Sequence, residues 1–136
     1  MAAEPSFLAL AQRAVDAGLA YARERDLRMT MVVMDSTGTV CAAARMDHSR
    51  PITYQIALAK ANTARVFETS TSVLAGRVKP ENKIAIGQLG TDIAFLGGGV
   101  PIVREGLVIG AIGASGGNED QDTECADVAV AAVATP

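Results

Sequence analysis

Residues 94–117 read AFLGGGVPIVREGLVIGAIGASGG. Val100–Val103 and Leu107–Ala114 are β-branched or apolar runs flanking Arg104-Glu105-Gly106, which is a hairpin pattern. Gly97-Gly98-Gly99 stands before the first strand and Gly116-Gly117 after the second. Glycine is placed where backbone turns sharply or something approaches it closely. One reading of the two clusters is a sheet edge shaped around a ligand or partner. The other is a pair of tight turns into the neighbouring elements.

Outward from this hairpin, Asn118-Glu119-Asp120-Gln121-Asp122 opens a helix through Val133, with its acids where the helix dipole favours them. Ile93–Leu96 reads as a short strand, and residues 78–92, with Pro80, Asn82, Gly87 and Gly90, read as a loop. Thr69–Arg77 adds a short helical turn. Ser49 is positioned to cap a helix from about Arg50 to Phe67, with Pro51 tolerated in its first turn. Met29–Asp35 and Thr39–Met46 form a hairpin about Ser36-Thr37-Gly38. Leu8, Ala11, Val15, Leu19 and Ala22 give helical spacing between Pro5 and Arg25. The order predicts an α+β fold, with an antiparallel sheet of about five strands and flanking helices.

The chain has 136 residues, 49% of them apolar and only 4% aromatic, so small aliphatic side chains build the core of a single domain spanning 1–136. A net charge of -3 argues against nucleic acid as a partner, which requires a basic face. No membrane span and no signal peptide are read, and the expected location is the cytoplasm. Cys41 and Cys125 are expected to be reduced and buried. The glycine motifs of nicotinamide and ATP sites do not occur, because the glycine run leads into a strand and not into a helix.

The chemical inventory is small. His48 is the single histidine, and neither C-x-x-C nor H-x-x-x-H occurs, so no metal site is expected. Ser115, in Gly113-Ala114-Ser115-Gly116, fails the nucleophile-elbow spacing. On the helix after Ser49, the residues Thr53, Ala57, Lys60 and Ala64 share a face, and Ile52, Ile56, Thr63 and Val66 form the neighbouring stripe expected to be core. Lys60 among alanines suits an anion-binding amine or a base. It equally suits a lysine that lays its stem over alanines or pairs with a carboxylate. Arg45, Asp47 and His48 end a strand near that helix's N-terminus, where an anion is favoured. Asp122 reads as a dipole-matching residue or as a second catalytic group.

Six segments in order carry a resemblance: Val33-Met34-Asp35-Ser36-Thr37-Gly38, Arg45-Met46-Asp47, Ala57 to Ala64, Gly98-Gly99-Val100-Pro101-Ile102, Gly110 to Gly117, and Gln121-Asp122. The chain resembles the small haem-binding, GlcG-like family, also known as a haem-degrading domain and as the C-terminal part of some corrinoid adenosyltransferases. The resemblance implies a profilin-like α+β fold, homo-oligomeric assembly, and binding of haem or other small molecules at subunit contacts. It carries over a pocket, but not a haem ligand. No cofactor is expected, with haem left open; His48 would be its first axial candidate, followed by Met46 and Tyr54. The expected ligand-binding residues are Arg45, Asp47, His48, Gly97, Gly98, Gly99, Ser115 and Gly116, with Lys60 and Asp122 as catalytic candidates. Three functions fit: a small-molecule-binding oligomer for an anionic organic ligand or tetrapyrrole, accessory to a catabolic or biosynthetic pathway; an enzyme acting on a small carboxylate or carbonyl compound by proton transfer, isomerisation or hydrolysis; or an accessory partner protein without a site.

Overall fold

The computed structural model describes residues 6–88 and 92–134. The elements are α1 (Phe7–Glu24), β1 (Thr30–Asp35), β2 (Val40–Arg45), α2 (Ile52–Phe67), α3 (Thr71–Arg77), α4 (Pro80–Gly87), β3 (Gly99–Arg104), β4 (Leu107–Ser115) and α5 (Glu119–Val133). The fold is α+β, with one antiparallel sheet in the order β2-β1-β4-β3. Among the described residues the sheet therefore has four strands, not about five. The segment 93–96 forms no strand, and its Phe95 ring instead meets Phe67 of α2 edge-on at 5.7 Å. The expected loop at 78–92 contains α4, which starts with Pro80 in its first turn, where the missing amide costs nothing. Gly90, the last glycine of that expected loop, lies outside the described residues.

Local chemistry explains the other boundaries. Ser6 caps α1 by accepting the Ala9 amide at 3.0 Å, and Asn118 with Gln121 forms a capping box at the start of α5. Pro5, the expected helix start, lies outside the described residues. Ser49 does not cap α2, because its hydroxyl is buried against Thr30 and Thr53; the cap position falls at Pro51.

The two faces of the sheet are covered differently. α1 and α5 pack together on one face, where Met31, Val33, Ile112 and Ala114 meet Leu10, Ala14, Val15, Cys125 and Ala129. α2 covers the other face across β4, β3 and β1. Its buried residues are Thr53, Ala57, Lys60, Ala61, Thr63 and Ala64, whereas Ile52 and Val66 are about half exposed. Of the stripe expected to be core, Thr63 is buried and Ile56 partly buried, while Ile52 and Val66 face outward. Glycines explain the reversal. A Cβ on Gly113 would overlap the Ala57 carbonyl, and one on Gly99 would overlap the Lys60 carbonyl. Alanines facing glycines bring the helix backbone down onto the sheet, closer than isoleucines would allow.

Candidate functional site

At the β1–β2 end of the sheet, two shallow cavities share a ridge formed by Arg28 and His48. The first has a volume of about 450 Å³ and is lined by Leu19, Arg23, Arg28, Arg45, Met46, Asp47 and His48. Antiparallel pairing creates it. Thr30 lies opposite Arg45, and the Met46 amide donates to the Met29 carbonyl at 3.0 Å, so the start of β1 and the end of β2 present their side chains together. The turn that follows is held by the Ser49 amide on the Met46 carbonyl at 3.1 Å and by Arg45 Nη1 on the Ser49 carbonyl at 2.7 Å. His48 takes φ +71 in that turn, a left-handed conformation that costs a non-glycine residue about 1–2 kcal/mol. Its ring is exposed at the junction of the two cavities. Arg23, Arg45 and Arg50 form no ion pair among the described residues, whereas Arg28 lies 3.5 Å from Asp26.

The expected cleft between Lys60 and the Gly97–Gly99 turn is closed. Lys60 is 2% exposed and Asp122 3%. Lys60 Nζ donates to Asp122 Oδ2 at 2.8 Å and to the Ala114 carbonyl at 3.0 Å, and the Gly117 amide donates to Asp122 Oδ1 at 2.8 Å. Lys60 belongs to α2 on one face of the sheet and Asp122 to α5 on the other, so the pair bolts the two helical layers together past the end of β3. Gly98, at φ +127, gives it room: a Cβ there would stand 3.0 Å from both Lys60 Nζ and Asp122 Cβ. Burial pushes the Asp122 carboxyl above its ordinary value, against the Lys60 bond and charge and the Gly117 amide, which pull it down.

The sequence-predicted site residues therefore fall into two groups. Arg45, Asp47 and His48 line the first cavity, and Ser115, Gly116 and His48 line the second. Lys60, Asp122, Gly97, Gly98 and Gly99 line neither and lie together at the buried pair. Gly97 and Gly99 hold α5 and α3 in place: the Gly97 amide donates to Glu119 Oε1 and the Gly99 amide to Thr71 Oγ1, each at 2.8 Å. Arg23, Arg28 and Arg50 line these cavities as well, beyond the residues that the sequence singles out. Arg28 was legible in principle, since hairpin register places the residue before β1 beside the residue after β2. Arg23 was not, because only tertiary packing brings the end of α1 there.

The family described as "Haem degrading protein HbpS-like" matches residues 8–131. The chain belongs to this HbpS-like family. Among its HbpS-like relatives is an uncharacterized 15.0 kDa protein of the dhaT-dhaS intergenic region of Citrobacter freundii, 34% identical over 125 residues, covering 90% of this chain and 88% of that protein. The corrinoid adenosyltransferase PduO of Citrobacter freundii is 30% identical over 119 residues, covering 86% of this chain; the chain spans only 36% of PduO's length. A solved PduOC–heme complex superposes with a TM-score of 0.86 at 28% identity, covering 96% of this chain and 95% of that one. These matches agree with the resemblance read from the six segments and with the α+β fold.

Proposed function

We propose that this chain is a homo-oligomeric small-molecule-binding protein that takes an anionic organic ligand, such as a tetrapyrrole, in the basin beside His48. The observation that carries the reading is the convergence of Arg23, Arg28, Arg45 and His48 on one cavity whose lining holds a single acid, Asp47, in a chain of net charge -3. Such a concentration of positive charge against the overall sign draws carboxylates. The haem-degrading family and the PduOC–heme complex support a tetrapyrrole. The lining residues fit part of a haem. His48 would supply the iron donor and the arginines would suit propionates, whereas Leu19 and Met46, the latter with its sulfur held by the Met29 amide, alone offer apolar cover. A second copy would have to supply the rest, which joins binding to assembly. In this reading Lys60 and Asp122 are structural, since their charges are already satisfied within the protein. The protein would work in the cytoplasm as an accessory to a catabolic or biosynthetic pathway. No helix among the described residues is long and apolar enough to cross a membrane.

Titration with metal-free protoporphyrin and with haem tests this. Saturable porphyrin binding is expected, weakened about 10- to 100-fold by Arg45→Ala, because a lost charge-assisted contact is worth that much. The haem Soret band is expected to shift, and His48→Ala to abolish that shift while leaving porphyrin bound. No saturable binding of either compound would overturn the tetrapyrrole reading.

A further inference from the structure

On the far side of the Arg28–His48 ridge lies the second cavity, about 360 Å³, lined by Arg28, His48, Ser49, Arg50, Ile52, Thr53, Ile56, Ser115, Gly116 and Gly117. Its floor is polar and deeply buried: Ser49 is 4% exposed, Ser115 5% and Thr53 6%. The hydroxyl protons of this floor are arranged in one sense. Thr53 Oγ1 has a single proton, which it donates to the Arg50 carbonyl at 2.5 Å. Thr53 must therefore accept from both Thr30, at 2.8 Å, and Ser49, at 3.0 Å. The Ser49 proton is thus spent on the Thr30–Thr53 side, which leaves Ser49 Oγ as an acceptor. Ser115 carries a rotatable hydroxyl beside it. The wall above is a set of donors, with Arg28 and Arg50 as cations and the Arg50 charge in no ion pair among the described residues.

From this layout we propose a second binding site, distinct from the tetrapyrrole basin, for a small oxyanion that bears a hydroxyl on a neighbouring carbon. The oxyanion sits against Arg28 and Arg50, which offer paired N–H donors. The neighbouring hydroxyl donates to Ser49. Ile52 and Ile56 form the apolar side wall, which leaves room for a short carbon chain. Carboxylate and phosphate share the required oxyanion chemistry, although a phosphate ester sets its hydroxyl two bonds farther from the charged centre than a 2-hydroxycarboxylate does. The site needs no occupant in the first basin, since only Arg28 and His48 are common to both.

Calorimetric titration of the whole protein with four probes tests the proposal: lactate against propionate, and 2-hydroxypropyl phosphate against propyl phosphate. In at least one pair the hydroxylated member is expected to bind about three- to ten-fold tighter, the ratio given by one net hydrogen bond to a neutral acceptor. Whichever pair shows the preference identifies the oxyanion. Ser49→Ala should bring the two members of that pair to equal affinity, and Arg50→Gln should weaken both about ten-fold or more. Arg23→Gln, which alters only the first basin, should leave these affinities unchanged while weakening porphyrin binding. A failure of the tetrapyrrole reading therefore leaves this test intact. No saturable binding of any probe would overturn the proposal. So would binding without preference for the hydroxylated member, or an affinity indifferent to Arg50→Gln.

Discussion

Lys60 shows how burial changes what a residue can do. Lys60 is 2% exposed, and its amine is held in place 2.8 Å from a carboxylate and 3.0 Å from a carbonyl. Lys60→Met leaves Asp122 buried without its partner, and a loss of about 3–5 kcal/mol is expected in chemical denaturation. Lys60→Met combined with Asp122→Leu should recover much of it. The loss should also depend on pH. The folded carboxyl already titrates above its unfolded value, so its contribution to stability is greatest at low pH and falls as pH rises through the raised value. Removing Lys60 raises that value further. The variant should therefore lie near the wild type at low pH and fall behind it as the carboxyl ionises. The two thiols differ in the same way. Both are free; Cys125 is buried as expected, but Cys41 is only half-buried. Burial first, then the Asp122 charge, pushes the Cys125 thiol up to about 11. Burial and then the Asp35 charge push the Cys41 thiol up as well, so a thiol reagent should label Cys41 slowly at mildly alkaline pH and Cys125 only on unfolding. The stability that Cys125 contributes as a thiol should be lost as pH rises from about 9 towards 11.

At the scale of elements, the contact of α2 with β3 and β4 depends on glycines and alanines. Gly113→Ala drives a methyl into the Ala57 carbonyl and lifts the helix, so a loss of about 3 kcal/mol or more is expected from thermal or chemical unfolding. Gly76→Ala is the matched contrast. Gly76 lies in α3 with open space around it, and the substitution should stabilise by about 0.5–1 kcal/mol. Equal effects from the two would mean that α2 is not seated on these glycines. α4 is the opposite kind of element, because it has no buried residue and Ile84 is 65% exposed.

For the whole molecule, the outer surface keeps Ile52, Val66, Ile84, Val103 and Leu107 half or more exposed. Helix and sheet surfaces of this kind are commonly covered by further copies of the chain. Light scattering is expected to give a multiple of the 14.0 kDa chain mass, and Ile52→Lys to shift the distribution towards the monomer. A wild-type mass of 14.0 kDa at micromolar concentration would remove the oligomer, and with it the second wall of the proposed tetrapyrrole site.

The sequence by itself determined the two hairpins, α1, α3, α5 and the body of α2, because hydrophobic period, caps and turn glycines act over a few neighbouring residues. It also determined which residues carry chemistry, including the shared face of Thr53, Ala57, Lys60 and Ala64. What that face meets was a tertiary question. Isoleucines outrank alanines in any local measure of hydrophobicity, yet Gly99 and Gly113, 39 and 56 residues beyond the Lys60 and Ala57 they face, make the alanine face the one that can approach the sheet. The same approach carries Lys60 to Asp122 and buries the pair. Tertiary packing likewise brings Arg23 of α1 and Arg28 before β1 beside Arg45, His48 and Arg50, which follow one another along the chain. Sequence spacing records the distance along the chain, whereas charge and desolvation act through space, and only the folded sheet brings those residues together.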